Sequence, residues 1–192
     1  MKFYKWAGQG YWIGTFLLSA PAFAMGSGDL KYDVEPIVGY ERVQKFLPTP
    51  HTHDRLTYGV RATAGLLMLS AEGEYTRGTD SESFPAQGVD TKDTDDMLKL
   101  GLVSQYRLGQ LLTAGLRGGV QASKNIHEST ANGVLTKTTN PVVYHPYAGF
   151  LASASLSTKV ALTAGITVVF HDFPSMKQND YQTSLGLTLQ FP

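Results

Sequence analysis

The sequence of 192 residues contains no cysteine, and charged residues make up only 17% of it. Without cysteine the chain cannot form disulfides, so its stability must come from packing and hydrogen bonding. The 16 basic and 16 acidic residues balance each other, which leaves no basic footprint for a nucleic-acid partner. We therefore expect no nucleic-acid binding.

Long hydrophobic runs are also lacking, apart from one short stretch near the N terminus. Residues 1–24 begin with Lys2 and Lys5, continue through an apolar stretch and end in Ala22-Phe23-Ala24. These are the three parts of a secretory signal peptide, and the apolar stretch is shorter than the ~20 residues of a transmembrane helix. We predict cleavage after Ala24, which leaves residues 25–192 as one exported domain; a retained amphipathic anchor is the alternative.

Beyond residue 24 the recurring pattern is an alternation of apolar and polar residues, and no helical period is sustained. The last segment is the clearest, because Leu185, Leu187, Leu189 and Phe191 alternate with glycine and small polar residues. Such alternation predicts β-strands. Eight segments show it, at residues 31–42, 55–65, 69–77, 98–107, 112–123, 144–155, 160–170 and 181–191.

The connections between these segments alternate in length. Short connections lie at residues 65–68, 108–110 and 156–159, and long polar ones lie at 44–54, 78–96, 124–141 and 171–180. An even number of long strands with alternating connections is the pattern of an outer-membrane barrel. Because a sheet in lipid can leave no open edge, the last strand must pair with the first. We predict an all-β fold, an eight-stranded antiparallel up-and-down transmembrane β-barrel.

The two faces of the strands differ in chemistry, which indicates which face lies inside. A soluble lipocalin-like barrel would bury its apolar face, whereas a membrane barrel turns that face to lipid and its polar face inward. The polar face carries charges on the first five segments, which favours the membrane arrangement. The charged residues that we expect inside are Asp33, Glu35, Glu41, Arg55, Arg61, Glu72, Glu74, Lys99, Arg107 and Arg117.

Aromatic residues of the apolar face lie at two levels. Near the long connections these are Tyr40, Tyr58, Tyr75, Tyr144, Phe170 and Tyr181; near the short ones they are Tyr32, Tyr106 and Phe191. Two such levels predict aromatic girdles at the two membrane–water interfaces. In outer-membrane barrels the short turns face the periplasm, so we expect the four long loops outside.

These features resemble the small eight-stranded outer-membrane barrels of the OmpA transmembrane-domain and OmpX-like type. The resemblance is architectural and covers residues 25–192. In that group the last strand usually ends on an aromatic residue, which the barrel-assembly machinery reads; Phe191 fits, although Pro192 follows it. The resemblance implies a barrel-only, monomeric protein of the bacterial outer membrane, with outer-membrane lipid, lipopolysaccharide and the assembly machinery as its partners.

The predicted interior suggests a role. An eight-stranded barrel is narrow enough to be filled by side chains, and acidic and basic segments alternate, so each buried charge can pair with a neighbouring strand. We predict a plugged interior and a structural or surface-interaction role for the long loops. A narrow ion or solute channel is the alternative.

Three polar groups in the predicted loops are candidate sites. His51-Thr52-His53 offers two imidazoles to a metal, but a metal site needs three or four ligands at fixed geometry. His127-Glu128-Ser129 has the H-x-S spacing of outer-membrane lipid A deacylases, but it falls in a predicted loop rather than on one strand face. The acidic residues of 78–96 predict a solvated loop, or contact with cations that bridge lipopolysaccharide.

None of these groups meets the requirements of a catalytic, cofactor-binding or metal site. We therefore predict no enzymatic activity, no cofactor and no metal. An outer-leaflet lipid-modifying enzyme, similar to a lipid A deacylase, is kept as the alternative function.

Overall fold

The computed structural model describes residues 30–45, 51–66, 68–85, 88–131, 133–171 and 179–191. The predicted signal peptide, its cleavage site and Pro192 lie outside these ranges. The described residues form nine strands: β1 (Lys31–Lys45), β2 (His51–Leu66), β3 (Leu69–Phe84), β4 (Val89–Arg107), β5 (Leu112–Ala131), β6 (Val134–Thr139), β7 (Val143–Ser155), β8 (Val160–Phe170) and β9 (Asn179–Phe191). They include no helix that is both long and apolar enough to cross a membrane.

Eight of the strands close into an antiparallel ring. The order of hydrogen-bonded neighbours is β1–β2–β3–β4–β5–β7–β8–β9, and β9 returns to β1. At this closing seam Phe191 lies opposite Tyr32, and Tyr181 lies opposite Arg42. The predicted fold class and the pairing of the last strand with the first are both confirmed.

The seam between β1 and β9 has one interruption, at Pro36. The pairing runs from Tyr32 to Val34 and resumes at Ile37, because proline has no backbone N–H to donate. Val34 lies opposite Leu189 and Ile37 opposite Gly186, so the register is the same on both sides of the gap.

The ninth strand, β6, was not predicted. It pairs with the last six residues of β5, from Ile126 opposite Thr139 to Ala131 opposite Val134. The earlier part of β5 pairs with β7 instead, up to Ser123 opposite Val143. Most of the predicted loop 124–141 is therefore a β-hairpin that extends beyond the ring.

The hairpin of β3 and β4 is also longer than predicted. Its register is continuous from Leu69–Ser104 to Phe84–Val89, and its turn includes Gly88, whose N–H donates to the Pro85 carbonyl at 3.2 Å. The prediction of a loop at 78–96 was wrong, because β3 continues to Phe84 and β4 already begins at Val89. The short connections at the other end of the barrel agree with the prediction.

The apolar faces of the strands point outward. Tyr40, Leu100 and Phe150 are 62%, 59% and 47% exposed, whereas Arg61 and Glu41 are each 1% exposed. This distribution contradicts the soluble lipocalin-like alternative. The tyrosines of both predicted aromatic levels are on this outer surface. We call the outward-facing apolar surface between these two levels the apolar band.

Candidate functional site in the barrel interior

A group of six charged residues fills the middle of the barrel. We call it the central network: Glu35, Arg61, Glu72, Glu74, Lys99 and Arg117. All six are buried, and the group contains three carboxylates and three cations. They come from the first five strands, where alternation turns each of them inward.

Arg61 lies between the carboxylates of two neighbouring strands. Its Nε donates to Glu74 Oε2 at 2.8 Å, and its Nη1 donates to Glu35 Oε1 at 3.1 Å. The other oxygen of Glu74 accepts from Lys99 Nζ at 2.5 Å. The predicted pairing of acidic and basic strands across the ladder is confirmed for these residues.

Arg117 joins the network from β5. Its Nη2 lies 2.6 Å from Glu72 Oε1 and 2.9 Å from Glu74 Oε2. The hydroxyl of Tyr147 donates to Glu72 Oε1 at 2.8 Å, and the Arg117 guanidinium lies 5.2 Å from the centre of the Tyr147 ring. The network therefore reaches from β1 to β7 across the lumen.

Glycines on the facing strands make room for this network. A Cβ atom at Gly186 of β9 would overlap the carboxylate of Glu35, and one at Gly101 of β4 would overlap the Tyr147 hydroxyl. The small residues of β9 thus provide the space that the charged strands need.

A second polar layer lies nearer the long hairpins. Arg55 Nε donates to Glu41 Oε2 at 2.7 Å, and Arg55 also pairs with Asp95. Gln182 Nε2 donates to Glu41 Oε1 at 2.6 Å and to Gln121 Oε1 at 3.2 Å. This layer links β1, β2, β4 and β5 to β9.

The interior is wide at its ends and narrow in the middle. A cavity of about 850 Å³ opens at the short-turn end and one of about 550 Å³ opens at the long-hairpin end. Cavities beside the central network measure about 50 and 20 Å³, room for a few water molecules at most. Asp33 and Arg107, which were predicted inside, line the wide cavity at the short-turn end.

A second group of titratable residues lies beside the mouth at the long-hairpin end. We call it the His–carboxylate cluster: Lys45, His51, His53, Asp80, Glu82, Asp93 and His127. It comes from five consecutive strands, β1 to β5. The prediction that the histidines among them lie in loops was wrong, because all three are on strands.

Contacts within the cluster are short. His53 Nδ1 lies 2.7 Å from Glu82 Oε1, and His53 Nε2 lies 3.7 Å from Asp80 Oδ2. His51 Nε2 lies 3.1 Å from Glu82 Oε1. Two side chains therefore approach the Glu82 carboxylate from the same strand.

Lys45 lies among the carboxylates of the cluster. Its ammonium contacts Asp80, and it donates to Asp93 Oδ2 at 2.9 Å and Glu82 Oε2 at 3.3 Å. Burial favours the neutral form of Glu82, but the hydrogen bond with His51 and the Lys45 ammonium hold its carboxyl pKa below the ordinary value. Burial is likewise outweighed at Asp93, where Lys45 and His127 lower the pKa.

The structure also places His127-Glu128-Ser129. The triplet lies on β5 rather than in a loop, and His127 Nδ1 is 2.7 Å from Asp93 Oδ1. His127 lines the interior cavity at the long-hairpin end, and Ser129 is on the same face of the strand by alternation. The acyl chains of a membrane lipid lie on the opposite, outer side of the barrel.

Two further histidines, His145 and His171, meet on another side of the same mouth. Their ring centres are 4.1 Å apart, and His171 Nε2 lies 2.5 Å from Asp180 Oδ2. The hydrogen bond with Asp180 raises the pKa of His171. Unlike the His–carboxylate cluster, this group contains a one-to-one pair of imidazole and carboxylate.

Solved structures match this fold over most of the chain. Ail, the attachment invasion locus protein of Yersinia pestis, has a TM-score of 0.60 at 10% identity over 84% of this chain and 98% of Ail. Neisserial surface protein A has a TM-score of 0.58 at 12% identity over 83% and 95%. OprG from Pseudomonas aeruginosa has a TM-score of 0.55 at 8% identity over 86% and 98%.

The fold is that of the small outer-membrane β-barrels. Identities of 8–12% show the fold alone, and at this level the resemblance predicted from the architecture is confirmed. No family model and no curated protein matches the sequence.

Sequence reasoning missed the His–carboxylate cluster as a unit. His51 and His53 alternate on β2, and Asp80 and Glu82 alternate on β3, so each pair shares an inward face. The pairing of β2 with β3 places Thr57 opposite Gly78, and the same register continued would bring His53 opposite Glu82. This alternation is in the sequence, but it indicates a cluster only if the strands continue past the apolar band.

Proposed function

We propose that the chain is an integral protein of the bacterial outer membrane with a plugged interior and a structural or surface-interaction role. The observation that carries the proposal is the central network, whose six paired charges cross the lumen between two wide mouths. Each charge pairs within hydrogen-bonding or ion-pair distance. Such a network resists opening, because separating it would leave buried charges unpaired.

The chemistry of the outer surface supports the proposed location in the membrane. Apolar side chains face outward between two levels of aromatic residues, which matches a hydrocarbon layer with two interfaces. The usual orientation of such barrels puts the short turns in the periplasm and the long hairpins outside the cell.

The long hairpins supply the surface for the proposed role. On the β3–β4 hairpin the alternate residues Asp90 and Lys92 are exposed, and on the β5–β6 hairpin Lys137 pairs with Glu128 at 2.8 Å. We propose that these outer faces contact lipopolysaccharide, its bridging cations or a surface partner. One similar structure is named as an attachment protein and another as a surface protein. These names describe those two proteins, and they are compatible with this proposal.

The proposal includes no enzymatic role. A lipid A deacylase needs its serine and histidine where a lipid can reach them, whereas His127 lines the interior cavity. We expect an unchanged lipid A mass spectrum when the protein is overexpressed in a Gram-negative host. Loss of an acyl chain that depends on Ser129 would favour the enzyme instead.

A planar-bilayer recording tests the plug. We expect no large, steady conductance from the purified wild-type protein. The matched variant Arg61→Ala/Glu74→Ala removes one cation and one anion from the centre, so it opens space without changing net charge and should raise the conductance. A steady porin-sized current from the wild type would contradict the plug and favour the channel alternative.

Gel mobility tests the location. A closed barrel in the outer-membrane fraction should migrate differently before and after heating in detergent. A soluble periplasmic protein without this shift would contradict the membrane placement.

A further inference from the structure

The His–carboxylate cluster has an arrangement of charge that the fold does not balance. Asp80 lies directly opposite Asp93 in the β3–β4 pairing, and like charges in that position destabilise a sheet. Three carboxylates of the cluster contact the single ammonium of Lys45, and Asp80 also lies 3.8 Å from Arg55 Nη1. Three imidazoles lie beside them, at His51, His53 and His127. The cluster therefore places three carboxylates and three imidazoles around one ammonium.

The spacing of the donor atoms suits a metal ion. Ligand atoms of His53, Asp80 and Glu82 all lie within 4.8 Å of one another. Around a tetrahedral zinc ion with ligands at ~2.1 Å, donor atoms are about 3.4 Å apart. Small side-chain rotations would bring the three donors to that spacing. His51 Nε2, at 3.1 Å from Glu82 Oε1, is close enough to provide a fourth.

Asp80 supplies an independent observation. The residue is only 7% exposed, and its Oδ1 atom is buried without a hydrogen-bond partner among the described residues, although Arg55 Nη1 lies 3.8 Å away. Such an oxygen is costly to bury. A cation bound between Asp80 and His53 would satisfy it.

The ligands lie on paired strands. His51 and His53 are within β2, where Lys45 pairs with His51 and Val43 with His53 across β1. Asp80 and Glu82 are within β3, where Glu82 pairs with Thr91 across β4. Because the backbone is already ordered, a metal would have only side chains to arrange.

We propose that His53, Asp80 and Glu82, with His51 as a fourth ligand, bind a divalent transition-metal ion. A mixed set of imidazole and carboxylate ligands suits zinc and its neighbours better than magnesium or calcium. Without the ion, the ammonium of Lys45 contacts the carboxylates of Asp80 and Glu82. When the ion binds these carboxylates, the ammonium moves toward Asp93. Lys45 is thus a tethered competitor of the metal.

Calorimetric titration of the untagged, refolded chain in detergent micelles with Zn²⁺ at pH 7.5 tests the proposal. We expect one site of micromolar or tighter affinity in the wild type. His53→Gln and Glu82→Gln should each weaken binding by at least about tenfold. The matched control is His145→Gln, which removes a histidine at the same mouth outside the cluster and should leave the affinity unchanged.

Lys45→Gln tests the competition directly. Removing the ammonium while keeping every ligand should tighten Zn²⁺ binding by roughly tenfold, because a like charge leaves the site. Unchanged or weaker binding in Lys45→Gln would contradict the role given to Lys45. Heat-modifiable gel mobility shows that each variant is folded.

Absorption spectroscopy with Co²⁺ uses the wild-type protein, so its result does not depend on whether the variants fold. Visible bands of a four-coordinate nitrogen–oxygen site are expected on addition of Co²⁺ to the wild-type barrel, and equimolar Zn²⁺ should abolish them. A spectrum identical to that of aqueous Co²⁺, or no Zn²⁺ binding in the wild type and Lys45→Gln, would overturn the proposal. Equal loss of binding in His145→Gln would also overturn it.

Discussion

The central network and the His–carboxylate cluster lie on the same strands, and both arise from the alternation of inward and outward side chains. They differ in the charges that lie opposite each other on neighbouring strands. In the central network Glu35 lies opposite Arg61, Arg61 opposite Glu74, and Glu74 opposite Lys99. In the cluster Asp80 lies opposite Asp93. A register that opposes unlike charges pairs them within the protein, whereas a register that opposes like charges leaves the place that we propose for an external cation.

The largest effect is expected from breaking the central network. Arg61→Met would leave Glu35 and Glu74 buried without their shared cation, which should lower the free energy of unfolding by about 3–5 kcal/mol. Urea unfolding in detergent, followed by far-UV circular dichroism, measures this loss.

The matched control is Arg42→Met. Arg42 also pairs with a carboxylate on the neighbouring strand, Asp54, at 2.8 Å, but the two side chains are 63% and 53% exposed. Exposed pairs contribute about 0–1 kcal/mol. Equal losses in the two variants would mean that burial does not distinguish the central network from a surface pair.

A smaller effect is expected from filling the space that the central network uses. Gly186→Ala would place a methyl group against the Glu35 carboxylate, and such overpacking costs about 1–3 kcal/mol. The control Gly73→Ala adds a methyl whose nearest neighbour is Leu100 Cδ2 at 3.7 Å, an ordinary contact. The same unfolding experiment compares them, and a larger loss in Gly73→Ala would contradict the tight packing described here.

The smallest effect concerns the one-to-one pair of His171 and Asp180, which lies at the same mouth as the cluster but is balanced. Because Asp180 raises the pKa of His171 above its ordinary value of 6.5, the pair stabilises the fold below pH 6.5, and this contribution is lost as the pH rises through the raised value.

Histidine NMR titration measures the His171 pKa directly. The midpoint of His171 should lie above 6.5 in the wild type, and Asp180→Asn should lower it. A midpoint that does not respond to Asp180→Asn would show that the pair does not form in solution.

The fold was predictable where the membrane imposes a pattern. Each strand has one face toward lipid and one toward the charged interior, so apolar and polar residues alternate along it. The sheet must close into a barrel because no strand edge can remain unpaired in lipid. The same period assigned Glu35, Arg61, Glu74 and Lys99 to one inner face, and their pairing follows from the alternation of acidic and basic strands.

The pattern fails above the apolar band. There both faces of a strand are mostly polar, so β3 continues to Phe84 and β4 begins at Val89 without any hydrophobic period. One local signal for the missed strand β6 was present: Asn132-Gly133 lies between β5 and β6, and this dipeptide is typical of tight hairpins. Gly133 has a φ of 77°, which such a turn requires.

Pro36 at the closing seam has a consequence for the chain before the barrel is complete. Until β9 arrives, β1 is an exposed edge, and an exposed edge strand can pair with another unfinished chain and aggregate. A proline on that edge removes a donor from any such pairing. In the finished barrel the cost is confined to a short gap in the seam, between Val34 and Ile37. We therefore expect the missing donor at Pro36 to weaken any pairing of β1 with another unfinished chain.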